Sequence, residues 1–124
     1  MAPLSCFSRQ ARLLQSREFQ HVFNNTDCKS VDSLLVVLAS RNEYGYARLG
    51  LAISKKKINK AVARNRLKRI IRESFRHDQR HVQAVDIVVM AQPRALEATN
   101  QQLFDSLQNH WKNLKNRCVE SSYS

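Results

Sequence analysis

Hydrophobic positions along the chain change their period several times, and each change marks an element. From Ser16 to about Asn24, Phe19, Val22 and Phe23 recur at the spacing of one helix face, with Ser16 a suitable N-cap. Residues 33–40 form an apolar run of strand length. Residues 47–54 alternate Leu49, Leu51 and Ile53 with Gly50, Ala52 and Ser54, the period-two pattern of a second strand. The stretch 41–46 between them contains Asn42 and Gly45 and has hairpin length, which predicts antiparallel pairing of the two strands. One face of the second strand is then nearly bare. Gly50, Ala52 and Ser54 leave room there either for a closely packed helix or for a chain of nucleotides.

From about Asn59 the pattern turns helical, without Gly or Pro. At about 3.6 residues per turn, Ala63, Leu67, Ile70, Ile71 and Ser74 fall within one arc. Arg64, Asn65, Lys68, Arg69, Arg72 and Arg76 occupy most of the opposite side. Arg66 departs from this division: it projects near Val62 on the far flank of the apolar stripe, which predicts a place at a groove edge between helix and sheet. Residues 86–91 suit a buried central strand ended by Pro93. A last helix is expected from about Thr99 to Arg117, capped by Thr99 or Asn100, with Leu103, Leu107, Trp111 and Leu114 on one core-facing stripe. Residues 1–14 show no clean period and read as an extended arm, where Arg9 and Arg12 are candidates to touch a phosphate. That arm and the tail 119–124 are the segments expected to be least ordered.

Charge sharpens the picture. The chain has 124 residues, 43% of them hydrophobic, which predicts a single domain over 1–124 with a modest core. Its net charge is +11, and ten of its 21 basic residues lie between Lys55 and Arg76 against one acid, Glu73. Solvated helix faces usually mix signs, whereas like charges held this close are best compensated by a polyanion that releases its own counterions. The expected partner is nucleic acid. Apolar runs are too short to span a bilayer and no signal-type block opens the chain, so the expectation is a soluble cytoplasmic protein without membrane contact. Cys6, Cys28 and Cys118 are odd in number and widely spaced, which fits reduced thiols.

Catalytic chemistry is not readable in the polypeptide. The ten acids are scattered, without the carboxylate cluster that a metal-dependent nuclease needs. His77 and His81 lie one helical turn apart but lack the Glu of the metalloprotease pattern, and no phosphate-cradling Gly-rich loop or nucleophile elbow exists. Binding is the expected task, with no catalytic residue and no metal site in the protein. Phe19 and Phe23, one turn apart, read either as core anchors or as a stacking pair.

The string AVARNRLKRIIRE, with Lys55, Lys56 and Lys57 before it, resembles the Arg-Asn-Arg signature of the bacterial ribonuclease P protein subunit. REFQHVF resembles that family's first helix, ARLGLAIS its strand before the basic crossover, and DIVVMAQP its last strand. The resemblance implies an α+β fold in the order α-β-β-β-α-β-α, with the basic crossover helix packed on a small mixed sheet and one further strand around Cys28 to Val31. It implies a catalytic RNA with this protein as auxiliary subunit, expected 1:1 with the ribonuclease P RNA. It also implies binding of the 5′ leader of precursor tRNA and a lowered need for divalent metal, Mg²⁺ held mainly by the RNA. Carried over, RNA contacts fall on Lys55, Lys56, Lys57, Lys60, Arg64, Asn65, Arg66, Lys68, Arg69 and Arg72, and a leader cleft on Phe19, Phe23, Gly50, Ala52 and Ser54. The resemblance departs at Ile58 and Asn59, where many members have Gly; a turn there would then use Asn59 in the left-handed conformation.

Three other classes compete. A DNA-binding basic zipper wants Arg eight residues after its Asn, but position 73 is Glu, and no leucine heptad follows. A ribosomal or chaperone-like RNA-binding protein shares the charge, and co-purified RNA would discriminate it. A nuclease in its own right would show activity free of RNA.

Overall fold

A computed structural model describes residues 16–78 and 85–122, with side chains of the last helix described as far as Asn116. The elements run α1 (Ser16–Asn24), β1 (Cys28–Val31), β2 (Leu35–Arg41), β3 (Arg48–Ala52), α2 (Ala61–Asp78), β4 (Val85–Ala91), a short 3-10 turn (Pro93–Glu97) and α3 (Asn100–Ser122). This is the expected α+β order. β1 occupies the place that the resemblance implied. The expected N-terminal arm, with Arg9 and Arg12, lies outside the described residues.

The sheet order is β1-β2-β4-β3, and here one expectation is corrected. β2 and β3 do not form a hairpin. β4 lies between them, antiparallel to β2 (Val37 opposite Val89) and parallel to β3 (Gly50 opposite Val88). The reason is burial: β2 and β4 are apolar on both faces and gain most from central positions. β1, with exposed Lys29, and β3, with Gly50, take the edges. The long turn between β2 and β3 is closed locally instead. Asn42 Nδ2 donates to the Tyr46 carbonyl (3.1 Å), Tyr44 N donates to Asn42 Oδ1 (3.0 Å), and Gly45 adopts φ +81°, a conformation open to glycine at little steric cost.

Alternation sorts the strand residues onto two faces. Leu35, Val37, Ala39, Leu49, Ile87 and Val89 meet Leu67, Ile70, Ile71 and Phe75 of α2 and Leu103, Leu107, Trp111 and Leu114 of α3 in the main core. Trp111 is a core residue: its ring meets Phe75 edge-on at 5.9 Å, and its Nε1 donates to Ser74 Oγ at 2.8 Å. Thr99 caps α3 reciprocally, its Oγ1 accepting from Gln102 N and its N donating to Gln102 Oε1. On the opposite face α1 crosses the sheet. Val22 is fully buried there against Leu38 and Val88, with Phe19, Val36, Ala52 and Met90 around them.

A buried polar link ties α3 to β1. Ser30 Oγ is 2.7 Å from His110 Nδ1 and accepts from Asn113 Nδ2, while Ser106 Oγ donates to Asp32 Oδ2. Asp32 Oδ1 accepts from the amides of Leu34 and Leu35 (2.8 Å each), and His110 Nε2 lies 3.1 Å from Asp32 Oδ2. Burial pushes the Asp32 carboxyl up, but the Ser106 hydroxyl, the two amides and His110 together hold it below its ordinary value. Cys28, expected as a reduced thiol, is joined in a disulfide.

Candidate nucleic-acid interface

β3 and β4 are parallel, so the chain must return along the sheet between them, and α2 does this. Its buried stripe of Leu67, Ile70, Ile71, Ser74 and Phe75 fixes the helix rotation. Asn65, Arg69, Arg72 and Arg76 are therefore exposed, with Lys68 half-buried. None of these five makes a side-chain hydrogen bond or ion pair with another described residue. The outward face of α2 is a row of uncompensated cations around one amide.

Before α2 lies the lysine turn. Lys55, Lys56, Lys57 and Lys60 are exposed, while Ile58 is fully buried beneath them. Ile58 N donates to the Ser54 carbonyl at 2.9 Å, and Lys56 N donates to Ser54 Oγ at 3.0 Å. Arg64 Nη1 donates to the carbonyls of Ile58 and Asn59, both at 2.9 Å. A buried Ile, a Ser hydroxyl and an Arg clamp thus shape this turn.

Two expected contact residues are occupied inside the protein. Arg64 holds the lysine turn. Arg66, predicted at an edge between helix and sheet, turns instead to the start of α3: Nη2 donates to the Ala98 carbonyl (2.7 Å) and Asn100 Oδ1 (2.9 Å), and Nε to the same oxygen (3.1 Å). Ala98 closes the segment between β4 and α3, and its carbonyl is an acceptor that a helical projection of α2 alone does not bring into view.

The second candidate surface lies on the other face of the sheet. Phe19 is half-buried against the Val22, Leu38 and Val88 cluster, while Phe23 is 41% exposed. Ala52 borders the same cluster, and Gly50, opposite Val88 in the ladder, shares its face. Ser54 is not part of this floor. It lies beyond the end of β3 and serves the lysine turn.

One constellation was missed by the sequence reading. Arg48 Nε and Nη2 donate to the two oxygens of Asp86 at 2.7 Å each, and Nη1 donates to Glu18 Oε2 at 2.7 Å. Asn42 Nδ2 joins Asp86 Oδ1 at 2.8 Å. These bonds, chiefly those to Asp86, raise the Arg48 pKa further above its ordinary value despite burial. The group pins α1 and the β2–β3 turn to one end of the sheet. A lone acid opening the apolar run VDIVVMA was the available signal, because a buried carboxylate needs a cation.

Among the described residues no group of three His, Cys, Asp or Glu side chains could hold a metal ion, and no helix is long and apolar enough to cross a membrane. A family model described as Ribonuclease P matches residues 7–115. The chain belongs to the ribonuclease P protein family. It is 47% identical to the ribonuclease P protein component of Methylococcus capsulatus over 94% of this chain and 90% of that one. Its identity to the Idiomarina loihiensis component is 43%, over 92% and 91%. A solved Staphylococcus aureus RNase P protein superposes with TM-score 0.77 at 34% identity, covering 82% of this chain and 93% of that one. The Thermotoga maritima protein gives 0.73 at 31%, covering 82% and 94%. Family membership makes this chain the protein component of a ribonucleoprotein endonuclease in tRNA processing.

Proposed function

We propose that this ribonuclease P protein acts as an RNA-binding auxiliary, 1:1 with the catalytic RNA, and that the RNA performs the cleavage that removes the 5′ leader of precursor tRNA. The observation that carries the reading is the outward face of α2, where Lys68, Arg69 and Arg72 surround Asn65 with no acid paired to them among the described residues. Cations held there on a helix locked into the core meet phosphates without first paying to break internal ion pairs. Lys55, Lys56, Lys57 and Lys60 extend the strip. Arg64 and Arg66 serve it through position, holding the lysine turn and the start of α3.

The leader lies along the α1 face of the sheet, where Phe23 is exposed and Phe19 and Ala52 are partly exposed, with Gly50 buried beneath. An aromatic wall binds single strands through base faces with little sequence demand. Cations between two RNAs lower their repulsion, and so the divalent-ion concentration at which they associate; Mg²⁺ itself is held mainly by RNA.

Reconstitution tests this directly. Added to a ribonuclease P RNA at Mg²⁺ too low for the RNA alone, the protein is expected to restore 5′ maturation of precursor tRNA. No stimulation, or cleavage by protein free of RNA, would overturn the reading.

A further inference from the structure

The β2–β3 turn displays two tyrosines that neither the core nor the α2 strip uses. Tyr44 is 56% exposed and Tyr46 39%, their ring centroids 6.0 Å apart at 47°. The Arg48 guanidinium lies 4.1 Å from the Tyr44 centroid and covers one face of that ring. Arg48 is committed inside the protein, because Asp86 and Glu18 accept three of its N–H bonds and their two carboxylates balance its charge. It backs Tyr44 as a fixed plate. The turn itself is held by the Asn42 bonds to Tyr46, Tyr44 and Asp86, so an exposed aromatic is presented on an ordered support.

Beside Tyr44 opens a concavity of about 950 Å³, lined also by Arg17, His21, Arg41 and Glu43. Its floor charges, Arg48 with Glu18 and Asp86, are spent on one another. Arg17 is an exposed cation at the wall, and Glu43 disfavours a run of phosphates while accepting from a base amino group. This mixture fits one unpaired nucleoside with its phosphate better than a continuous backbone track. The concavity sits at the Arg48–Asp86 end of the sheet, opposite Ala52 and Met90, and α2 returns the chain toward this same end, where β4 starts.

We propose that Tyr44, backed by Arg48, is a stacking platform for a single unpaired nucleoside of RNA, at a site distinct from the Phe19–Phe23 cleft. The proposal rests on the RNA-binding role above. The base stacks on the open face of Tyr44, and Arg17 meets its phosphate. The nucleoside comes from the catalytic RNA or from the precursor's leader, and the assays separate the two.

Tyr44→Ala and Tyr44→Phe are compared with the unsubstituted protein in two assays, affinity for ribonuclease P RNA and affinity of the assembled holoenzyme for precursor and mature tRNA. Loss of a stacked base by alanine is expected to weaken one binding step by roughly 5- to 100-fold, with Tyr44→Phe close to the unsubstituted protein. Weakened assembly assigns the nucleoside to the catalytic RNA. A loss confined to precursor tRNA assigns it to the leader. Both affinities within about twofold for Tyr44→Ala, or equal losses for Ala and Phe, would overturn the proposal. If Tyr44→Ala lowers the melting temperature, crosslinking of 4-thiouridine-substituted RNA to the unsubstituted protein decides: a crosslink at Tyr44 supports the platform, and none there overturns it. Failure of the unsubstituted protein to bind RNA would instead condemn the RNA-binding reading itself.

Discussion

Arg66 and Arg69 lie within one turn of α2 but in opposite surroundings. Arg66 donates three hydrogen bonds of 2.7 to 3.1 Å to Ala98 and Asn100, whereas exposed Arg69 has no described partner. Charge-assisted bonds contribute about 1.5 to 3 kcal/mol when buried. Arg66 is half-buried and Asn100 is exposed, so solvent screening reduces the expected cost of Arg66→Ala to about 1 to 2 kcal/mol in all. For a domain of this size that lowers the melting temperature by roughly 3 to 10 °C. The salt dependence of RNA affinity should stay as it was. Arg69→Ala should leave stability within about 0.5 kcal/mol but remove about one phosphate contact, lowering the log–log salt slope by about 0.7 to 0.9. Between about 50 and 200 mM salt the affinity ratio of the unsubstituted protein to this variant would then shrink about threefold. Thermal melts and RNA titrations at several salt concentrations measure both quantities. If Arg66→Ala lowers the slope as much as Arg69→Ala while the melt is unchanged, Arg66 meets a phosphate and the bracing role is wrong.

Three further outcomes are expected. Phe23→Ala should cost under about 1 kcal/mol of stability, because the ring is already exposed, yet weaken precursor-tRNA affinity by roughly 1 to 3 kcal/mol with mature tRNA unchanged; equal losses for both tRNAs would remove Phe23 from the leader cleft. Asn65→Lys adds charge to the cationic face, so assembly with the catalytic RNA should improve if attraction alone matters and fall if the amide makes a directed bond; the second result is expected, as measured by RNA affinity. The folded Asp32 carboxyl titrates below its ordinary 3.8, so its stabilisation is present above that value and lost as pH falls through the lower folded one. Asp32→Asn should flatten the acid limb of a stability-against-pH curve below about pH 4, and an unchanged limb would refute this.

The elements that local pattern specifies were legible. In α2, the arc from Ala63 to Ser74 named the buried side, and the burial of Leu67, Ile70 and Ile71 agrees with it. The small-residue side of β3 was readable too, since Gly50 and Ala52 alternate with Leu49 and Leu51 whatever the neighbour, but that Gly50 is buried there was not. The choice of neighbour was not readable. Short separation along the chain favoured β2 with β3, but strand order is decided by which segments bury both faces, and only comparison across all four strands ranks β4 above β3 for the centre. β1 has no legible period, because four residues reading CKSV are too short to carry one.

The same limit explains the two arginines of the signature. A helical projection correctly set Arg66 apart from the exposed row, yet it says nothing of what approaches from outside the helix. Ala98 is 32 residues away, and its carbonyl comes within reach only because Pro93–Glu97 leads the chain back to the start of α3 beside α2. Arg48 shows the converse. Nothing near it in sequence calls for a cation, but Asp86 opens a strand that is buried throughout its centre, and a carboxylate there requires a partner. The buried acid's need for a cation is the signal for the pair, and with it for the support beneath Tyr44. A basic residue in a charge-rich chain is therefore best assigned by elimination. Arg48, Arg64 and Arg66 are held by the fold, and along the lysine turn and α2 the remaining cations, Lys55, Lys56, Lys57, Lys60, Lys68, Arg69, Arg72 and Arg76, have no ion-pair partner among the described residues.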